Sequence, residues 1–369
     1  MAACVLIGRA AADPNLRGWA AILRLEPGVL QEALREAGIN VIRGERGAIA
    51  LGTLSKLWVA SRSAADSLRD ERASGLAAAI AQRAERVESR VTSWRLPRSR
   101  LSEGRTLVMG VLNVTPDSFS DGGKYAAADA AVEHGLRLGA EGADLIDVGG
   151  ESTRPGSPPV AIEEELRRVV PVVRELARRG KVPVSIDTTK AEVARRALDA
   201  GAEVVNDVSG LQRDPELGKV IAASGAAVCL MHMRGTPADM QQHADYSDLL
   251  GEVHDELSQA IARAREAGIA DDRIALDPGL GFAKAAEHNL LLLRRLRELT
   301  QLGRPLLAGA SRKSFLGKLS GKPAAERVVG SLAAAVVAVQ NGASMVRAHD
   351  VAATREALAV ADAVRASTS

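Results

Sequence analysis

Eight apolar runs, each ending in polar residues and followed by an Ala/Leu/Glu/Arg-rich helical stretch, alternate between residues 107 and 366 of this 369-residue chain. That rhythm, its count of eight and its length predict an α/β fold: a (β/α)8 TIM barrel preceded by a small N-terminal α/β domain. A doubly wound open sheet shares the alternation and is the competing architecture. The boundary is placed at residues 92/93, so that residues 1–92 form an N-terminal extension with a helical connector and residues 93–369 form the barrel.

Within the extension, residues 28–37 have helical spacing and stop at Gly38. Residues 39–42 and 48–51 then read as two short strands around a turn at 44–47. Thr53 is placed to cap a helix from Leu54, and residues 64–91 carry apolar positions Leu68, Leu76, Ile80, Val87 and Val91 at amphipathic spacing. No catalytic constellation stands out in this part. After Pro97 and the polar stretch to Arg105, the expected strands are 107–112, 144–149, 182–187, 203–207, 226–232, 274–277, 305–310 and 345–349. The expected helices are 126–140, 162–179, 190–200, 214–223, 246–267, 286–299, 323–341 and 352–366.

Composition narrows the function classes. A hydrophobic content of 46% with 25% charged residues describes an ordinary globular chain, and the net charge is only +2. Residues 1–100 carry 16 basic and 10 acidic side chains against 32 and 36 in the remainder, an excess that scattered arginines on solvated helices explain. Three Trp, two Tyr and three Phe leave little for base stacking, which argues against a nucleic-acid partner. Cys4 and Cys229 are too few and too far apart for a disulfide framework or a zinc site, and they fit a reducing cytoplasm. Without a run of about 18 apolar residues or a secretory leader pattern, the expectation is a soluble, cytoplasmic protein with no membrane partner.

In a barrel, all eight strand C-termini meet on one face, and active sites are built there. Those ends carry Asn113 and Asp117; Asp147, Glu151 and Arg154; Asp187; Asn206 and Asp207; His232; Asp277; Ser311, Arg312 and Lys313; and Arg347, His349 and Asp350. A lone Asp at a strand end usually caps the next helix, but capping does not explain polar residues at all eight ends. Arg154, Lys313, Arg347 and His349 supply cationic donors suited to a phosphate or pyrophosphate. Asp187, Asn206 and Asp277 offer acceptors and an amide to a flat heterocycle rich in N–H donors. Asn113 and Asp147 are oxygen donors of the kind Mg²⁺ takes. His232, between Met231 and Met233, reads as a packed strand end rather than a soft metal site.

Eight stretches extend these observations: MGVLNVTPDSFSDGG (109–123), DLIDVGGESTRPG (144–156), SIDTTKAEVARRAL (185–198), VVNDVSG (204–210), LMHMRGTP (230–237), DPGLGFAK (277–284), GASRKSF (309–315) and VRAHDV (346–351). In order and spacing they resemble the motifs of the bacterial dihydropteroate synthase family, over about residues 93–366. The resemblance implies a transferase on a pterin-binding barrel. Such an enzyme condenses 6-hydroxymethyl-7,8-dihydropterin pyrophosphate with p-aminobenzoate in folate biosynthesis, uses Mg²⁺, is a sulfonamide target and forms a homodimer. It assigns pterin recognition to Asp187, Asn206, Asp277 and Lys313, the last also near the aminobenzoate. Pyrophosphate and Mg²⁺ handling fall to Asn113, Asp147, Arg154, Arg347 and His349. Thr153, Pro155, Ser311 and Phe282 shape the aminobenzoate pocket. Asp117, Arg154, Lys313 and Arg347 are the implied catalytic set, with Asp117 in a loop, 114–124, that closes over pyrophosphate together with 151–160.

Two departures stand out: the family often has Gly where Ala283 sits, and Leu280 replaces a common Phe. The N-terminal block distantly resembles the extra region of long family members, best at LGTLSKL (51–57), with scaffold or dimer packing as its expected role. A methyltetrahydrofolate-dependent methyl transferase shares the pterin-binding barrel, but it needs neither a pyrophosphate rim nor the ESTRPG loop. A catalytically silent pterin-binding paralogue is a third reading. Against it, Thr115 to Ser118 and Ser152 to Pro155 are all retained.

Overall fold

The computed structural model describes residues 40–44, 47–51, 93–102, 104–114, 124–153 and 156–367. The chain divides into two units, Met1–Arg90 and Val91–Ser369. In the first, Asn40–Gly44 pairs antiparallel with Gly47–Leu51, from Asn40 opposite Leu51 to Gly44 opposite Gly47. These are the two short strands the sequence proposes there. The helices expected at 28–37, from 54 and at 64–91 lie outside the described residues.

The second unit holds eight barrel strands: β1 (Leu107–Asn113), β2 (Leu145–Gly149), β3 (Val184–Asp187), β4 (Val204–Asp207), β5 (Ala227–Met231), β6 (Ile274–Asp277), β7 (Leu307–Ala308) and β8 (Met345–Ala348). Neighbours pair in parallel in the order β6-β5-β4-β3-β2-β1-β8-β7. The ring closes where Leu276 of β6 bridges Leu306 just before β7, with the Leu276 N–H donating to the Pro305 carbonyl at 2.9 Å. Closure decides for the barrel over the open sheet.

Alternation along each strand separates two cores. Residues pointing outward, such as Val108 and Leu112 of β1, Ile146 and Val148 of β2 and Val228 and Leu230 of β5, pack under the helices. Residues pointing inward form the lower layer of the barrel: Met109, Leu145, Val204, Ala227, Leu307 and Met345. One repeat further along, the inward positions turn polar, at Asp147, Ser185 and Asn206. An apolar floor therefore lies under a polar layer, and the polar layer faces the C-terminal ends. A hairpin, Ser93–Arg95 paired with Arg100–Ser102, packs against the floor from below; Trp94 is fully buried there and its Nε1 donates to the Arg273 carbonyl at 2.9 Å.

The helices are α1 (Lys124–Ala140), α2 (Ile162–Arg179), α3 (Ala191–Asp199), α4 (Leu217–Ser224), α5 (Leu249–Glu266), α6 (Ala286–Arg295), α7 (Ser314–Ser320), α8 (Val328–Gln340) and α9 (Val351–Ala366). In α2, Glu165, Val169, Val172, Val173 and Leu176 make the buried stripe, with three glutamates in the first turn and two arginines in the last complementing the helix dipole. Three departures from expectation cluster between 286 and 341. The helix expected over 286–299 tightens into a 3-10 turn at Leu296–Leu302. β7 keeps only two of its six expected residues, and α7 was not expected at all. Seven residues are too few for a helical period to show in sequence, and Gly321 (φ +69°) stops α7 before the helix expected from 323, which begins at Val328.

Candidate active site

β2, β3, β4 and β8 bring their polar-layer side chains into one network. Arg347 Nε donates to Asp147 Oδ2 at 2.7 Å and Arg347 Nη2 to Asp187 Oδ2 at 2.9 Å, while Asn206 Nδ2 donates to Asp147 Oδ2 at 2.9 Å. Asp147 is fully buried, so it orients Arg347 and Asn206 from beneath. Its other oxygen, Oδ1, has no hydrogen-bond partner among the described residues, nor does the buried Ser185 Oγ. Burial raises the Asp187 carboxyl to about 7; the Arg347 guanidinium pulls against this and the Asp147 charge adds to it. Burial also works against the Arg347 charge, but Asp147 and Asp187 together hold it above its ordinary range. At the end of β1, Asn113 Oδ1 and Asp187 Oδ2 both face Gly149, 3.8 and 3.7 Å from where a β-carbon would stand. A β-carbon there would make ordinary van der Waals contact with both.

On the other side of the mouth, Asp277 Oδ1 accepts the Gly279 N–H at 2.7 Å, and burial raises its carboxyl against the pull of that bond and of Lys313. The loop that follows alternates in conformation: Gly279 (φ +70°), Gly281 (φ +83°) and Ala283 (φ +47°) are left-handed. Left-handed backbone at Ala283 explains why glycine suits this position in the family pattern. Leu280 turns into the outer core, so its replacement of Phe changes packing behind the loop rather than the site surface. Phe282 packs with Val208, Met231 and Met233, and Lys313 Nζ lies 3.8 Å from its ring centroid.

A third group sits where β7 and β8 end. Ser311 Oγ lies 3.0 Å from His349 Nδ1 and accepts the His349 N–H at 3.2 Å. Burial, then Arg347 and Arg312, lower the His349 pKa to about 3, which favours a neutral imidazole with one N–H rather than the cation expected of it. Arg312, left-handed at φ +58°, gives both Nε and Nη2 to Asp350, at 3.0 and 2.5 Å. Beside this pair, a cleft of about 560 Å³ is lined by Asn113, Arg312, His349, the carboxylates of Glu141 and Asp350, and the first residues of α9. The N-terminus of a 16-residue helix opens onto it, the arrangement that binds anions through free N–H groups. Of the expected cationic donors, Arg347 is engaged with Asp147 and Asp187, and Arg154 lies outside the described residues.

Thr153 lines a smaller cleft with Glu151, Asp187, Thr188 and Met233. Asp117, Arg154 and Pro155 lie outside the described residues. The described part of the second loop is tethered: Lys190 Nζ donates to Glu151, to the buried Glu165 and to the Val160 carbonyl, and Thr188 Oγ1 donates to Glu165 at 2.8 Å. Lys190 and Glu165 carry no expectation from sequence, although the first stands inside SIDTTK. Asp207 caps the turn after β4, accepting the N–H groups of Ser209 and Leu211 at 2.8 and 2.6 Å. His232 is buried in a side-chain network, and among the described residues no three His, Cys, Asp or Glu side chains gather as a metal cage.

Residues 109–349 match the protein family described as pterin binding enzyme. Over 261 residues the chain is 49% identical to a dihydropteroate synthase of Synechocystis, covering 70% of this chain and 90% of that one. It superposes on the Yersinia pestis dihydropteroate synthase solved with a sulfonamide drug at a TM-score of 0.71 and 46% identity, covering 74% of this chain and all of that one. The Xanthomonas albilineans dihydropteroate synthase, solved with 4-aminobenzoic acid, gives the same TM-score at 47% identity and covers 75% and 100%.

Proposed function

The chain belongs to the dihydropteroate synthase group of the pterin binding enzyme family, and from that premise we infer that it condenses 6-hydroxymethyl-7,8-dihydropterin pyrophosphate with p-aminobenzoate, releasing pyrophosphate and forming 7,8-dihydropteroate for folate biosynthesis. The observation that carries this reading onto the site is the buried Asp147–Arg347–Asp187 network, with Asn206 beside it and Asp277 on the opposite wall. Those acceptors and the Asn206 amide suit the N–H-rich edge of a pterin. Lys313, resting on Phe282, stands between the pterin side and the aminobenzoate side, where Thr153, Pro155 and Ser311 contribute. Asn113, His349 and the N-terminus of α9 receive pyrophosphate in the adjoining cleft, with Arg154 and Asp117 joining from their loops.

In the reaction, the bond between the pterin methylene carbon and its oxygen breaks with both electrons leaving on pyrophosphate, and the pterin ring delocalises the cation. The aminobenzoate nitrogen then forms the new C–N bond and loses a proton. No nucleophilic side chain is required, so the chain's contribution is orientation, charge stabilisation and exclusion of water. Asn113 offers one neutral oxygen at the rim, and no cage of carboxylates surrounds it among the described residues. Asn113 would hold a Mg²⁺ ion there as an oxygen ligand. When bound, it neutralises charge building on the leaving group.

Purified protein given Mg²⁺, the pterin pyrophosphate and labelled p-aminobenzoate is expected to form labelled dihydropteroate. Chelation by EDTA is expected to lower the rate at least tenfold, and a sulfonamide to compete with the aminobenzoate. No product above a protein-free control, with residues 115–123 and 151–160 intact by mass spectrometry, would sink the reading.

We also propose a cytoplasmic homodimer. No described helix is long and apolar enough to cross a membrane. Val329 and Val337 of α8 and Val360 and Val364 of α9 are exposed on neighbouring helices, an apolar surface that a second copy suits. Light scattering is expected to give twice the chain mass, and Val329→Glu with Val360→Glu to give the single mass. A wild-type monomer at tens of micromolar would remove the proposal.

A further inference from the structure

Lys284 ends the DPGLGFAK stretch, and nothing in the reaction as described uses it. It is 3% exposed, yet it carries an amine. Its Nζ donates to His232 Nδ1 at 2.9 Å and to the Phe282 carbonyl at 3.0 Å. A buried amine that makes two bonds to two different segments is a staple. One segment is the end of β5, and the other is the loop that bears Phe282.

The groups facing Lys284 come from every side: His232 at the end of β5, Asp277 at the end of β6, Glu256 on α5, Arg234 after β5 and Lys313 at the start of α7. Burial lowers the Lys284 pKa to about 7, with Asp277 and Glu256 opposing the fall. Burial, then Lys284, lowers His232 to about 4, so the imidazole is neutral and its Nδ1 accepts. Nε2 on the far side of the ring then faces Glu256 Oε2, 3.1 Å away, and Arg234 holds that glutamate.

The loop needs such a staple because its own backbone is not regular. Three of its residues are left-handed, and one of them is alanine. Gly279 runs so close to the end of β5 that a β-carbon there would lie 2.0 Å from the His232 carbonyl oxygen. Gly281 passes under the stem of Lys313, where a β-carbon would lie 3.0 Å from Lys313 Cδ. From the α6 side, Asn289 Oδ1 accepts the Gly281 N–H at 2.6 Å. Lys284 holds the next turn, directly at Phe282.

We propose that Lys284 is a positioning residue for the aromatic-amine half of the site: by tying the Phe282 carbonyl to His232, it fixes the ring against which Lys313 and the second substrate lie. The inference rests on the reading of Phe282 and Lys313 as the aminobenzoate wall. Pterin contacts on Asp187, Asn206 and Asp277 stand on strand ends, and none of the three is hydrogen-bonded to Lys284.

The test is steady-state kinetics on the full chain with both substrates varied, for Lys284→Met and Lys284→Gln, each also in a Phe282→Ala background. Lys284→Met keeps the volume and removes both donors; it is expected to raise KM for p-aminobenzoate about tenfold, with kcat and KM for the pterin pyrophosphate within threefold of wild type. Lys284→Gln retains an N–H for the Phe282 carbonyl and is expected to recover most of that loss. In the Phe282→Ala background, Lys284→Met is expected to add less than twofold, because the group it positions is gone. An active wild type with unchanged aminobenzoate KM in Lys284→Met overturns the inference and leaves the enzyme reading standing; an inactive wild type overturns the enzyme reading first. Equal losses toward both substrates, additivity with Phe282→Ala, or loss of the folded state in both Lys284 variants would assign Lys284 a purely structural role.

Discussion

Arg347→Met is expected to cost about 10²–10³-fold in kcat/KM and ~3–5 kcal/mol of stability near neutral pH. Among the described residues the guanidinium is the cation paired with both the buried Asp147 and Asp187, at 2.7 and 2.9 Å from their oxygens. Methionine fills similar space and leaves both carboxylates without it, so the loss measures the missing charge more than a cavity. Protonation of a carboxylate relieves the variant, and its deficit is therefore expected to shrink toward acid pH. Urea denaturation at pH 5 and pH 8, set beside the kinetics, reads both effects. Arg347→Lys keeps a charge but offers no fork, and it is expected to fall between. A methionine variant within 1 kcal/mol and tenfold of wild type at pH 8 would remove Arg347 from the centre of the network.

Asp187→Asn is expected to separate binding from stability. Affinity for the pterin is expected to fall about 10–100-fold, the ~1.5–3 kcal/mol of a hydrogen bond to a charged group. Stability moves differently. The folded-state pKa of Asp187 is raised from 3.8 to about 7, so the favourable contribution of its protonated form is complete below about pH 4 and is lost as pH rises through about 7. Asparagine resembles the protonated acid, can still accept from Arg347 and does not titrate. At pH 8 the variant is expected to melt no lower than wild type, and the wild-type stability slope between pH 4 and pH 7 is expected to flatten. Calorimetric titration with the pterin and thermal melts across that range check the pair of outcomes. A variant that binds the pterin as tightly as wild type would take Asp187 out of its recognition.

The same two residues show where legibility in the sequence ends. Asp187 and Arg347 stand out locally because each follows an apolar run with an abrupt polar residue, and a parallel barrel places all such ends on one face. Their contact is another matter: Arg347 reaches Asp147 and Asp187 across 200 and 160 positions of sequence. Likewise, a cationic His349 is a fair expectation from residue type. Burial beside Arg347 and Arg312 makes it neutral.

The missed residues follow one pattern. Lys190 and Lys284 sit inside recognised motifs and Glu165 in α2, but a buried charge has no periodic signal, and its value depends on the partners that enclose it. α7 was missed for a local reason, its seven-residue length.

By itself, the sequence determined the eight βα repeats, the face on which the chemistry stands and the residue types present there, because alternation, strand-end polarity and motif order are properties of neighbours along the chain. Only the tertiary structure decided which carboxylate holds Arg347, that His349 is uncharged and that Lys284 supports Phe282. Those outcomes depend on burial and on distances of about 3 Å between segments that closure of the barrel brings together.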